Sequence, residues 1–275
     1  MRFLVATSGF PYSAVRLGKE IAGRAGEAPT VLTVISNEEE RSRARTILTG
    51  ACELLQPQAP EVRTRIRIGH PAEEVIREAE EGGYDLVIVG DRQHYNRVTR
   101  FFLGSTAQRV VEYAPCPVII AKGKIQPIHR ILLCDSGADS SLLLNCTAQL
   151  VNLIGTEMDI TVLHVMSQMS AGPGVVGKQL RASAAELIQR HTPEGELLAQ
   201  DVKVLDQLNV NPRPKVRHGL VVEEILAEAR SQDYGLIVIG AYRGEGWHRI
   251  LLDDLARQII QKVDRPIYVA RQMTD

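Results

Sequence analysis

The sequence predicts an α/β protein made of two tandem copies of a five-stranded parallel-sheet domain. Three observations carry that expectation. First, the chain repeats itself. Tyr84-Asp85-Leu86-Val87-Ile88-Val89-Gly90 returns 150 residues later as Tyr234-Gly235-Leu236-Ile237-Val238-Ile239-Gly240, and the stretch from Gly69 to Ile76 returns at the same shift as Gly219 to Leu226. The openings Arg2-Phe3-Leu4-Val5 and Val31-Leu32-Thr33-Val34 return as Arg130-Ile131-Leu132-Leu133 and Val162-Leu163-His164-Val165. A period this long means two globular units rather than a solenoid. Second, short continuous apolar runs such as Phe3-Leu4-Val5-Ala6 suit strands buried on both faces of a parallel sheet. Third, these runs alternate with amphipathic stretches, which implies right-handed crossovers.

Each element of copy one can be justified in turn. Strand one, residues 3–6, ends at Thr7-Ser8-Gly9. A helix over about 13–25 turns Val15, Leu17, Ile21 and Ala22 inward. Strand two covers 30–35, and a charged helix over about 38–55 presents Ile47, Leu48, Cys52 and Leu55 as its apolar stripe. In strand three, about 62–68, Arg63, Arg65 and Arg67 alternate with Val62, Thr64, Ile66 and Ile68, which predicts one exposed face. Gly69-His70-Pro71 leads into a helix through Glu81, and strand four, 86–89, ends at Gly90. A loop then reaches Gly104-Ser105-Thr106, the start of a helix that runs to about Tyr113. Pro115-Cys116-Pro117 stops it, and 118–120 is strand five. The polar stretch from Lys122 to Pro127 reads as a linker between domains at 1–123 and 128–275. Copy two repeats the plan from Arg130, with an insertion at about 167–214 that holds a loop and helices at about 179–189 and 193–208.

The bulk numbers set bounds. A length of 275 residues fits two ordinary domains, and 44% hydrophobic residues suffice for two cores, which 4% aromatics make aliphatic. A formal net charge of −1 gives no footprint for nucleic acid. No apolar stretch approaches the roughly 18 residues that span a bilayer, and a strand-like start leaves no room for a leader, so no membrane partner is expected. Cys52, Cys116, Cys134 and Cys146 form no CxxC pair, which suits reduced thiols in a cytoplasmic protein.

Ligands of open α/β sheets bind at the carboxyl ends of strands, where strand order reverses. In copy one those ends are Thr7-Ser8-Gly9, the stretch opening at Val34, and the loop from Gly90 to Thr106. Gly90 allows close approach to the backbone, Arg92 and its neighbours supply positive charge, and Gly104, Ser105 and Thr106 offer amides and hydroxyls at a helix N-terminus. This set suits a phosphate-bearing ligand. The plainer alternative is that Ser105 or Thr106 only caps its helix and the arginines are solvated.

On these residues the chain resembles a tandem universal stress protein. The resemblance rests on Ser8-Gly9, Gly69-His70-Pro71, Tyr84 to Gly90, Gly104-Ser105 and Ala114-Pro115-Cys116-Pro117-Val118, and it covers both halves apart from the insertion. It implies a Rossmann-like fold of the adenine nucleotide alpha hydrolase-like type, with the copies paired like a dimer through their last strands. It also allows a homodimer of the whole chain. In one subgroup it implies ATP binding through Gly-x-x-Gly, nine residues, then Gly-Ser/Thr. The implied cofactors are ATP or AMP, with Mg²⁺ accompanying ATP.

The pattern is kept in part. Gly90 and Gly104-Ser105 fit, Gln93 replaces the second glycine at a spacing of ten residues instead of nine, and Ser8 replaces an Asp that the family places at the nucleotide. In copy two Gly240 fits, Arg243 fills the second glycine position, and Asp253-Asp254 stand opposite Gly104-Ser105. Ser136 with Gly137 repeats the strand-one turn, and Asp135 adds a further acid. Carboxylates there repel phosphate, so copy two is the degenerate site. A cation-assisted site at Asp135, Asp253 and Asp254 is the alternative to solvated caps.

Other signals have plainer structural readings. Gly172 to Lys178 spells GxxxxGK, but Gln179 replaces the Mg²⁺-binding Ser/Thr and the motif lies in the insertion. Glu73-Glu74 and Glu223-Glu224 suit helix starts. His164 reads as a satisfied histidine, Cys116 as a packed thiol and Trp247-His248 as a cover for a pocket or partner surface, and Cys134 lacks a helper for nucleophilic work. No Ser/His/Asp set or metal spacing recurs in both copies, so no catalytic or metal residue is assigned, and at most slow ATP hydrolysis is expected. Three readings remain: an adenine-nucleotide-binding stress-response protein, a nucleotide-independent interaction protein, and an enzyme such as a nucleotidyl transferase.

Overall fold

The fold was obtained as a computed structural model, which describes residues 1–56, 61–91, 104–137, 140–155, 157–167, 182–241 and 254–272. Copy one consists of β1 (Phe3–Ala6), α1 (Ser13–Ala25), β2 (Thr30–Ile35), α2 (Arg41–Leu55), β3 (Arg63–Ile68), α3 (Pro71–Gly82), β4 (Leu86–Gly90), α4 (Ser105–Tyr113) and β5 (Val118–Ala121). Copy two consists of β6 (Arg130–Cys134), α5 (Ser140–Ile154), β7 (Asp159–Met166), α6 (Ala184–Gln189), α7 (Pro193–Asp206), β8 (Asn211–His218), α8 (Val221–Ser231), β9 (Leu236–Gly240), α9 (Asp254–Lys262) and β10 (Ile267–Ala270).

The two parallel sheets merge into one. Strand order is β3-β2-β1-β4-β5-β10-β9-β6-β7-β8. Every pairing is parallel except β5 with β10, which is antiparallel, with Ile119 opposite Tyr268. Side chains alternate across this sheet. Phe3 and Val5 face the layer of α1, α2, α5 and α7, while Leu4 and Leu32 face α3, α4, α8 and α9. All residues of β5 and β10 are buried, so each covers the other's free edge.

The seam carries two reciprocal cations. Lys122, just past β5, donates from Nζ to the carbonyls of Ile260 and Gln261 at 2.6 and 3.1 Å, in the last turn of α9. Arg271, just past β10, donates from Nη1 to the carbonyl of Val111 at 3.2 Å, in the last turn of α4. Helix C-termini leave carbonyls without intrahelical partners and carry negative partial charge, so each copy caps the other. The expected linker is therefore anchored: Lys122 and Ile128 are buried, and Gln126 donates to the Tyr234 carbonyl at 2.9 Å.

A second duplicated feature lies where α3, and its counterpart α8 in copy two, meets an edge strand. Arg67 meets Glu74, Glu78 and Glu81, and the Tyr84 hydroxyl donates to Glu78. At the same 150-residue shift Arg217 meets Glu224 and Glu228, and the Tyr234 hydroxyl donates to Glu228 at 2.7 Å. Glu228 is fully buried. Burial pushes its carboxyl up, but hydrogen bonds from Lys215, Tyr234 and Arg217 outweigh this and hold it down at about 2.

Four expectations need correction. The stripe of α2 is Ala44, Leu48, Ala51 and Leu55, with Ile47 and Cys52 only half-buried at its flanks, and residues 38–40 form a separate 3₁₀ turn. β3 does not bury one clean face, because an edge strand is open on its side, and Arg67 is drawn in by its carboxylates. In copy two β8 begins at Asn211, inside the expected insertion, despite Pro212 and Pro214; it is an edge strand, where prolines can point their missing N–H outward. α6 begins at Ala184, because Ser183 caps it in a capping box with Glu186; residues 179–181 lie outside the described residues. α7 stands in the position of α2. A Cβ on Gly137 would meet Leu197 at 3.3 Å, just as one on Gly9 would meet Ile47 at 3.2 Å.

Candidate functional site

Strand order reverses between β1 and β4 in copy one and between β6 and β9 in copy two. Ala6 pairs with Val89, so Thr7 and Gly90 emerge side by side at the carboxyl edge. The Thr7 amide donates to the Leu32 carbonyl at 2.9 Å, and Thr33 Oγ1 donates to the Thr7 carbonyl at 2.9 Å, which brings the ends of β1 and β2 together beside Val34. The turn is then fixed by Thr7 Oγ1, which accepts the Gly9 N–H at 3.2 Å. Gly9 has a φ of +99°, a backbone conformation that disfavours side chains. Ser8 is exposed on this turn. Gly90 has a packing reason of its own, since a Cβ there would lie 3.0 Å from Ser13 Oγ.

The third part is the start of α4. Gly104 is its N-cap residue, Ser105 is exposed and Thr106 half-buried, and no side chain caps the turn from within. Instead the Gly104 N–H donates to Asp91 Oδ1 at 3.2 Å. Asp91 Oδ2 lies 3.9 Å from Lys122 Nζ, with both side chains nearly buried. Burial lowers the pKa of Lys122, and the charges of Asp91 and Asp264 oppose that fall. Sequence reasoning missed Asp91, although it directly follows Gly90. Its carboxylate shows that the amide at the α4 N-terminus takes an anionic partner, here the protein's own. Among the predicted residues Thr7, Ser8, Gly9, Val34, Gly90, Gly104, Ser105 and Thr106 share this carboxyl edge, and Arg92 lies outside the described residues.

Copy two builds the same edge with different charge. Cys134 pairs with Ile239, so Asp135 emerges beside Gly240. Asp135 Oδ1 accepts the Gly137 N–H at 2.7 Å, the role Thr7 has in copy one. His164 takes the place of Thr33, its Nδ1 lying 3.1 Å from the Asp135 carbonyl oxygen. Asp135 is 5% exposed, so the expected solvated acid is a buried one. It meets Asp201 of α7, which is fully buried where copy one has Ala51. Burial first, then the hydrogen bond with Asp135 and its charge, push the Asp201 carboxyl well above the usual range. Asp135 Oδ2 and both Asp201 oxygens find no donor among the described residues, which fits an Asp201 carboxyl held above the usual range. Asp201 was missed as well; the 150-residue shift that pairs Gly69 with Gly219 would have set it against Ala51. Ser136 and Gly137 are exposed, Asp254 is exposed at the first residue of α9, and Arg243 and Asp253 lie outside the described residues.

The remaining signals place as follows. Cys116 is buried with its thiol pushed up by burial, and burial likewise raises Cys134. Residues 172–179 and Trp247-His248 lie outside the described residues. Among the described residues no cluster of three or more His, Cys, Asp or Glu could hold a metal, and no helix is long and apolar enough to cross a membrane.

Known proteins agree with this architecture. The Universal stress protein family matches residues 25–122 and again 127–271. A universal stress protein of Mycolicibacterium smegmatis is 24% identical over 254 residues, 88% of this chain and 81% of that protein. One from Methanothermobacter thermautotrophicus is 35% identical over 71 residues, 25% of this chain and only 47% of its own length. The crystal structure of a universal stress protein from Archaeoglobus fulgidus superimposes with a TM-score of 0.73 at 17% identity, covering 98% of both chains. With two matches that together span most of its length, the chain belongs to the universal stress protein family.

Proposed function

We propose that this protein acts in the stress response by binding, and that copy one binds an adenine nucleotide, ATP or AMP, with Mg²⁺ accompanying ATP. The observation that carries the reading is the meeting of the β1 and β4 ends with an α4 N-terminus whose first residues, Gly104, Ser105 and Thr106, carry no acid. The helix start supports phosphate, and the β1 and β2 ends by Ser8, Gly9 and Val34 support the base. Arg92, taken from its place in the sequence as a source of positive charge, is the further residue assigned to phosphate in this reading. Copy two is the degenerate half: Asp254 opens α9, and Asp135 with Asp201 puts further acid below the turn. The copies act as an intramolecular pseudo-dimer in the cytoplasm, and homodimers of the whole chain are a further level of assembly.

Calorimetric titration of ligand-free protein with ATP and AMP tests this. Heat with one nucleotide is expected, and Gly104→Asp, which gives copy one an acid at the same helix start, abolishes it. Unchanged affinity in that variant removes the site from copy one. A second reading, an interaction protein that needs no nucleotide, is favoured by Asp91, which already takes the Gly104 amide. Absence of heat with either nucleotide would leave that reading standing.

A further inference from the structure

Asp91 stands at the phosphate end of the proposed site. Its side chain is 10% exposed and is held from two sides. Oδ1 accepts the Gly104 amide at 3.2 Å, and Oδ2 faces Lys122 Nζ at 3.9 Å. Lys122 is itself fixed by the carbonyls of Ile260 and Gln261 in the other copy. The Asp91 amide continues the strand ladder by donating to the Ala121 carbonyl at 3.2 Å, so its backbone is tied as well. In copy two the same ladder position is Ala241, whose amide donates to the Ala270 carbonyl at 3.0 Å. That half therefore has no acid at this position.

A helix N-terminus carries roughly half a positive charge. Asp91 already neutralises it. A phosphate arriving at Gly104 must displace this carboxylate from the amide or accept a like charge beside it, and the repulsion grows with each phosphate added. Among the described residues the turn Thr7-Ser8-Gly9, which takes the base and ribose in this reading, carries no acid.

We infer that Asp91 is a specificity-determining residue of copy one, a resident anion in the phosphate seat that favours nucleoside-class ligands with few or no phosphates over a triphosphate. The inference rests on the adenine-nucleotide reading of copy one, and it places the discrimination in repulsion rather than in an added contact.

The test is titration calorimetry of the full chain against Asp91→Asn and Asp91→Ser, with adenosine, ATP and inorganic tripolyphosphate as probes at fixed ionic strength. Asparagine keeps the shape and the acceptor for Gly104. Serine removes charge and bulk, and serves if the asparagine variant fails to fold by circular dichroism. The wild-type chain is expected to bind adenosine at least as tightly as ATP and to ignore tripolyphosphate. The variants should bind ATP about tenfold more tightly, gain tripolyphosphate binding and keep their adenosine affinity. ATP and tripolyphosphate affinities that stay the same in both variants overturn the role of Asp91, whatever adenosine does. Tripolyphosphate gained by the variants without adenosine binding supports that role and overturns the adenine reading alone. Silence from every probe with every protein overturns both.

Discussion

Copy one and copy two share a scaffold and differ in where they keep negative charge. Below the strand-one turn, copy one has Thr7 and Ala51 where copy two buries Asp135 and Asp201 against each other. At the last helix, copy one has Gly104 with an acid reaching in from Asp91, whereas copy two has Ala241 and an acid on the helix itself at Asp254. The turn is made in both, because a threonine hydroxyl and a carboxylate oxygen can each accept the amide two residues on. The fold constrains the acceptor and leaves its charge free. Duplication thus preserved the parts that set geometry, while the electrostatics of the two edges diverged.

The largest effect should come from the duplicated carboxylate behind the edge strands. Glu228→Ala removes the fully buried carboxylate that Arg217, Lys215 and Tyr234 share, leaving Arg217 with Glu224 and Tyr234 with Thr161, and should cost about 2–3 kcal/mol in urea unfolding. Glu78→Ala should cost about 1–2 kcal/mol, since Arg67 keeps Glu74 and Glu81. Equal losses would break the comparison. Because the Glu228 pKa is lowered, its contribution is present above the usual carboxylate range and is lost as pH falls through about 2.

Next is the seam. Lys122→Met leaves the Ile260 and Gln261 carbonyls and Asp91 without their cation, and should cost about 2 kcal/mol. An unchanged unfolding midpoint would mean that the reciprocal capping is decorative.

The smallest effect has the opposite sign. Asp201→Asn lets an amide donate to Asp135 and should stabilise the chain at pH 7 by about 1–2 kcal/mol. The folded pKa of Asp201 is raised, so wild-type stability is fullest below the unfolded carboxylate pKa and declines as pH rises above it. The gain from asparagine should therefore shrink as pH falls and vanish below about pH 3, where Asp201 is protonated in both states. A gain independent of pH would rule out the carboxyl pair as its source.

Much of this was legible in the residues. The bounds of β1, α1 and β2 followed from apolar runs and amphipathic spacing, which local geometry alone dictates. The predicted edge residues Thr7, Gly90 and Gly104 gathered at one end because strand alternation and handed crossovers leave little choice. β8 was hidden by Pro212 and Pro214, which argue against a strand until the strand is known to lie at an edge. The partners of Asp91, Lys122 and Asp201 were unreadable for a common reason. A charged residue in a sequence looks solvated, and nothing local reports the partner that folding brings to it.

The sequence by itself determined the repeat, the α/β layering and the family, because each rests on spacing along the chain. Tertiary structure alone decided which charges face each other: Lys122 against the α9 carbonyls, Asp91 against Gly104, and Asp135 against Asp201. Those pairs join residues from 13 to 139 positions apart, and a charge's effect depends on its distance and burial in space, which a linear pattern does not encode.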